Sequence, residues 1–168
     1  MQGKYGALTV TAVAALALAG AAFGATKAVI VGTPGNDTLW GTANADVMYG
    51  KAGNDAVHGR AGNDVLYGNA GDDALHGGDG NDVLYGGNGN DSIWGGLGSD
   101  IEYGGPGDDA LHSLADDNAV DILDCGAGND TAYVNSRKYA AHLIKVRNCE
   151  KIVLVSPDSP DVSQDTGD

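Results

Sequence analysis

The sequence predicts an all-β solenoid, a stack of very short strands joined by tight turns. Three observations predict it. From Gly32 to His112 the chain divides without a gap into nine nonapeptides: GTPGNDTLW, GTANADVMY, GKAGNDAVH, GRAGNDVLY, GNAGDDALH, GGDGNDVLY, GGNGNDSIW, GGLGSDIEY and GGPGDDALH. Glycine stands at position 1 of all nine and at position 4 of eight, with Asn44 in the ninth. Position 8 is apolar in eight of the nine, so each repeat offers one side chain to an interior. Positions 7 to 9 then read outward, inward, outward, as a three-residue strand. A strand that short cannot stand alone and must stack on copies of itself.

The elements follow in chain order. Residues 1–24 have a short basic start at Lys4, an uncharged apolar run from Ala7 to Phe23, and small residues at Ala22 and Gly24. This is the pattern of a secretory signal peptide cleaved near Gly24 or Ala25. Ala28 to Val31 reads as a first strand or N-terminal cap of a roll spanning 25–134. The inward residues are Leu39, Met48, Val57, Leu66, Leu75, Leu84, Ile93 and Leu111. Glycine at positions 1 and 4 is expected to supply the positive φ of the turns. Glu102 breaks the apolar rank and is expected to make a weak spot, because a buried carboxylate is costly unless paired. After Ser113-Leu114-Ala115 the frame resumes weakly, placing Asp121 and Asp130 at position 6. A cap is expected over 135–155, with a final strand from Lys151 to Val155. The acidic, proline-containing 156–168 reads as a disordered tail.

Composition narrows the function. With 28 glycines and a single phenylalanine, the chain has little with which to build a bulky core. The net charge of −14 speaks against nucleic acid and anionic membranes as partners and suits a binder of cations. Removing residues 1–24 takes away one base and no acid, leaving 8 bases against 23 acids, or −15.

The placement of the acids is sharper. Position 6 is aspartate in all nine repeats: Asp37, Asp46, Asp55, Asp64, Asp73, Asp82, Asp91, Asp100 and Asp109. A turn alone would accept asparagine there, and no repeat has it. This pattern resembles the RTX, or haemolysin-type, calcium-binding nonapeptide repeats, G-G-x-G-x-D-x-U-x, strongly over 32–112 and weakly over 116–133. The resemblance implies a right-handed parallel β-roll with two nonapeptides per turn. It implies calcium between stacked turns, held by position-6 aspartates and by main-chain carbonyls of positions 2 and 4 in one turn and 1 and 3 in the next. Carried onto this chain, one edge stacks Asp37, Asp55, Asp73, Asp91 and Asp109, and the other Asp46, Asp64, Asp82 and Asp100. Four gaps on one edge and three on the other give about seven calcium sites, with Asp130 a further ligand in the weak frame. Stacked carboxylates would repel without an ion between them.

Two cysteines in an exported chain are most simply a disulfide, Cys125–Cys149. Closing a loop of about 25 residues contributes roughly 3–4 kcal/mol in the chain-entropy model. The bond would close the C-terminal cap, as in the many secreted RTX-repeat proteins that this Cys-Gly…Cys-Glu layout resembles. Position 9 alternates with period two. One face would show Trp40, His58, His76, Trp94 and His112, the other Tyr49, Tyr67, Tyr85 and Tyr103. Stacking explains this pattern, and a face for a glycan or protein ligand is the alternative.

The expected function is that of a secreted, extracellular calcium-binding module with a structural or interaction role and no membrane insertion once the signal is cleaved. An ice-binding or adhesin-type roll is one alternative, weakened by the lack of a threonine rank at position 3. A non-catalytic repeat remnant of a secreted RTX enzyme is another. No His-Glu-x-x-His or Gly-x-Ser-x-Gly motif is present, so no enzyme is expected.

Overall fold

The fold is taken from a computed structural model, which describes residues 27–158. The expected signal peptide and residues 159–168 of the expected tail lie outside the described residues. The strands are β1 (Val29–Val31), β2 (Thr38–Trp40), β3 (Val47–Ala52), β4 (Ala56–Ala61), β5 (Val65–Ala70), β6 (Ala74–Asp79) and β7 (Val83–Asn88). They continue as β8 (Ser92–Leu97), β9 (Ile101–Pro106), β10 (Ala110–Ser113), β11 (Asp121–Ala127) and β12 (Thr131–Asn135). A short helix α1 (Ser136–Ala140) precedes β13 (Ile144–Arg147) and β14 (Lys151–Val155).

Odd strands form one seven-stranded sheet and even strands the other, each in strict order along the chain. Every pairing is parallel, and partners in the repeats stand two nonapeptides apart, as in Met48 with Leu66 and Leu66 with Leu84. Each turn of the solenoid is therefore two repeats, one strand in each sheet. The fold is the all-β parallel β-roll that the repeat implies. Past Ser113 the spacing widens: Glu102 pairs with Leu123 and Leu111 with Ala132. The longer turn is filled by Leu114 and Ala115, both buried.

The interior is one side chain per strand. Leu39, Met48, Val57, Leu66, Leu75, Leu84, Ile93 and Leu111 are all at most 2% exposed, and Leu123, Ala132, Val134 and Ile144 continue the core. Glu102 occupies the same rank, fully buried, and β9 runs through it without a break.

Two expectations are corrected. The strands β3 to β9 are six residues long, not three. Positions 1 to 3 of the next repeat also pair with the turn above, as in Lys51 with Asn69 and Ala52 with Ala70, so the ladder runs past position 9. The position-1 glycines are also not the residues of positive φ. That conformation falls at positions 2 and 4, at Lys51 (92°), Arg60 (82°) and Gly53 (109°), for example. Position 1 needs glycine for space: a Cβ on Gly68 would stand 2.3 Å from Asp73 Oδ2 and 2.6 Å from the Gly86 carbonyl oxygen.

The segment 135–155 adds one strand to each sheet, β13 on β11 and β14 on β12. Asn135 turns the chain into α1 by accepting from the Arg137 and Lys138 amides, while its Nδ2 donates to the Leu114 carbonyl. The expected disulfide Cys125–Cys149 is present, tying β11 to the loop before β14. Among the described residues no helix is long and apolar enough to cross a membrane.

Candidate metal centres

Each position-6 aspartate ends the turn that precedes a strand, so the two-repeat turn sets the position-6 residues of every second repeat one above another. Main-chain hydrogen bonds join them. Asp37 N–H donates to Asp55 Oδ1 at 2.8 Å, Asp55 to Asp73, Asp73 to Asp91, and Asp91 to Asp109 at the same distance. On the other edge Asp46 donates to Asp64 (2.7 Å), Asp64 to Asp82 and Asp82 to Asp100 (both 2.8 Å). The structure thus brings together the two ranks expected from the sequence, and it lengthens both. Asp109 N–H reaches Asp130 Oδ1 at 2.8 Å and Asp100 N–H reaches Asp121 Oδ1 at 3.1 Å. The Asp130 amide then donates to Glu150 Oε2, which closes that edge.

One oxygen of each carboxylate after Asp37 is therefore committed to the turn before it. The other is not. Oδ2 of Asp55, Asp64, Asp73, Asp82, Asp91, Asp109 and Asp130 is buried and accepts no hydrogen bond. Buried polar atoms are nearly always paired, and an unpaired carboxylate oxygen is the costliest kind to leave so. Each of the repeat oxygens lies in a cradle with a main-chain carbonyl of the next turn. The point that a Cβ on Gly59 would take is 2.5 Å from Asp64 Oδ2 and 2.6 Å from Gly77 O, and a Cβ on Gly86 would be 2.3 Å from Asp91 Oδ2 and 2.7 Å from Gly104 O.

Electrostatics agree with the geometry. Burial raises the carboxyls of Asp64, Asp73 and Asp109 to about 6, that of Asp91 to about 7 and that of Asp82 to about 8. The neighbouring aspartates of the same rank add to the rise, and the donated amide works against it. Asp55 and Asp130 are raised by burial in the same way. A rank of carboxylates held close, desolvated and half-bonded needs positive charge. The donors offered are carboxylate and carbonyl oxygens, the set for a hard cation such as calcium. Among the described residues no three His, Cys, Asp or Glu side chains converge on a metal position, so any cation held here would draw on main-chain carbonyls as well.

The ends of the ranks differ. Asp37 and Asp46, expected as ligands like the rest, have Oδ2 already bonded: Thr33 Oγ1 donates to the first and Thr42 Oγ1 to the second, both at 2.9 Å, with the amides of the same threonines. At the other end Asp121 Oδ2 accepts from Ser113 Oγ and from Lys138 Nζ, both at 2.6 Å.

Several of these residues were not singled out by the sequence. The threonines carried a signal, since position 2 is threonine only in the first two repeats. A second ladder at position 5 carried one too. Asn54 N–H donates to Asn36 Oδ1, Asp72 to Asn54, Asn90 to Asp72 and Asp108 to Asn90, so this mostly Asn or Asp position ties neighbouring turns at the surface. Lys138 carried none, lying outside the repeat.

Comparison with known families agrees with this geometry. The RTX calcium-binding nonapeptide repeat (4 copies) matches over residues 28–57, 49–84, 67–102, 76–111 and 85–120. These overlapping windows span 28–120, more than half of the 168-residue chain. No curated protein matches the chain. The repeat frame, the roll and the family match together place the chain in the RTX calcium-binding nonapeptide repeat family.

Proposed function

We propose that this is an extracellular calcium-binding repeat protein that folds as it takes up about seven calcium ions between its stacked turns, and that its role is structural or one of interaction. The observation that carries the reading is the double rank of buried carboxylate oxygens without a hydrogen bond, each repeat member set beside a carbonyl of the next turn. A cation bound there would supply the charge that the fold itself lacks. Asp55, Asp64, Asp73, Asp82, Asp91 and Asp109 would hold it through Oδ2, with the position-1 carbonyl of the following turn, and Asp130 would add its own Oδ2.

Secretion is supported by the signal-like residues 1–24 and by the disulfide, which belongs to an oxidising compartment. Low cytosolic calcium would keep the acidic chain open during export, and calcium outside would close it, because binding energy is folding energy. The aromatic ranks serve the stack itself. Ring faces cover one another, leaving rims for any partner.

Native mass spectrometry of the calcium-loaded chain tests the proposal. About seven bound ions are expected, spread over both edges. A chain that binds none in millimolar calcium rejects it.

A further inference from the structure

The end of the edge that runs Asp46, Asp64, Asp82, Asp100 and Asp121 is built unlike the rest. Around most other position-1 glycines the Cβ point is crowded by an aspartate oxygen and a carbonyl of the next turn. At Gly95 it is crowded by Asp100 Oδ2 at 2.7 Å and Glu102 Oε1 at 2.9 Å. Asp100, Glu102 and Asp121 are all at most 2% exposed, and Asp117 reaches in from the longer turn. Into this concentration of carboxylates comes one cation. Lys138, 2% exposed and carried on α1, places Nζ 2.6 Å from Asp121 Oδ2 and 2.8 Å from Asp117 Oδ1. A fully buried lysine is rare, and it is tolerated when carboxylates surround it. Its separations from the two carboxylate oxygens are those of charge-assisted hydrogen bonds, so it neutralises Asp121 Oδ2 directly. The start of α1 is held in place twice. Asn135 caps it, and Arg137 pairs with Asp116 of the same long turn.

We propose that the Lys138 ammonium is a built-in cation that takes a metal's place on Asp121 Oδ2, at the end of this edge, so that the C-terminal turn closes without calcium and offers a formed template to the calcium-dependent turns before it. The inference rests on the reading of the other gaps as cation sites. It gives a purpose to one departure from the repeat, the three extra residues at Ser113 to Ala115, which bring Asp117 to the lysine.

Native mass spectrometry and hydrogen exchange on the full chain test it. Lys138→Ala removes the ammonium and leaves room, and it should bind one calcium ion more than the wild type. Lys138→Met fills the room without charge and should bind the wild-type number. In wild-type protein stripped with EDTA, the amides of β11 and β13 should exchange at least tenfold more slowly than those of β3 to β8. Equal ion counts in wild type and Lys138→Ala, or calcium-free exchange as fast in β11 and β13 as in the repeats, would overturn it. If Lys138→Ala does not fold, the wild-type exchange pattern decides alone. A wild type that binds no ion at all would instead defeat the reading of the ladders.

Discussion

A carboxylate with one oxygen bonded and the other buried and bare has opposite values with and without a cation. Asp82 is the clearest case, with its carboxyl raised to about 8 by burial and by Asp100 and Asp64 on either side. Asp82→Asn keeps the acceptor for the Asp64 amide and removes the charge. It should favour the calcium-free roll over the coil, by about 1–3 kcal/mol, and cost the calcium-loaded roll one ion; the β-structure present in EDTA, read beside ion counts, checks both signs. Gly68→Ala makes a different kind of damage. Its Cβ would press on Asp73 Oδ2 and on the Gly86 carbonyl, so a loss of about 1–3 kcal/mol is expected from overpacking. Equilibrium denaturation in calcium measures it. Position 2 offers the reverse: Arg60 holds a φ of 82°, and Arg60→Gly should relieve about 1 kcal/mol of backbone strain, less what is lost from its guanidinium over the Trp40 ring at 5.1 Å.

At the scale of the element, most of the strand stack was legible in the repeat. A period of nine, glycine at fixed places and one apolar residue per repeat suffice to dictate short stacked strands. The inward rank was read residue by residue, because side-chain alternation in a strand admits no other choice once position 8 is inside. The aromatic ranks were legible for the same reason. Trp40, His58, His76, Trp94 and His112 stack with ring centroids 4.0 to 4.9 Å apart, and Tyr133 extends the row. Tyr49, Tyr67, Tyr85 and Tyr103 stack likewise. Strand length is not legible, because pairing of positions 1 to 3 is a main-chain property, which side-chain identity does not report. The role of the position-1 glycine is not legible either, because it depends on what lies one turn above, and nothing local announces that. Lys138 could not be found from sequence at all: it acts across 17 and 21 residues, through a helix the repeat does not encode. The disulfide belongs to this scale as well. Replacing Cys125 and Cys149 together with alanine should cost about 2–5 kcal/mol, seen as a lower melting temperature in calcium, with the repeats still able to bind their ions.

For the whole molecule, the ranks of raised carboxyls make stability depend on pH in a direction opposite to that of most proteins. The folded, calcium-free chain holds protons on Asp64, Asp73 and Asp109 up to about 6, on Asp91 and Asp100 up to about 7, and on Asp82 up to about 8. The unfolded chain releases them near 4. The folded state therefore binds more protons between those limits, and stability must fall as pH rises through them. The EDTA-treated chain, open at pH 8, should therefore gain β-structure as the pH is lowered to 5, which far-UV circular dichroism would show.

The central claim is that the aspartate ladders fold the roll by holding calcium. Far-UV circular dichroism of residues 25–168, stripped with EDTA and titrated with calcium against a magnesium control, tests it most directly. A cooperative transition from coil to β-structure with calcium, and none with magnesium at the same concentration, is the predicted result. A spectrum already β-rich in EDTA across the repeats and unmoved by calcium would contradict it, leaving the aspartates as turn formers in a solenoid that needs no metal.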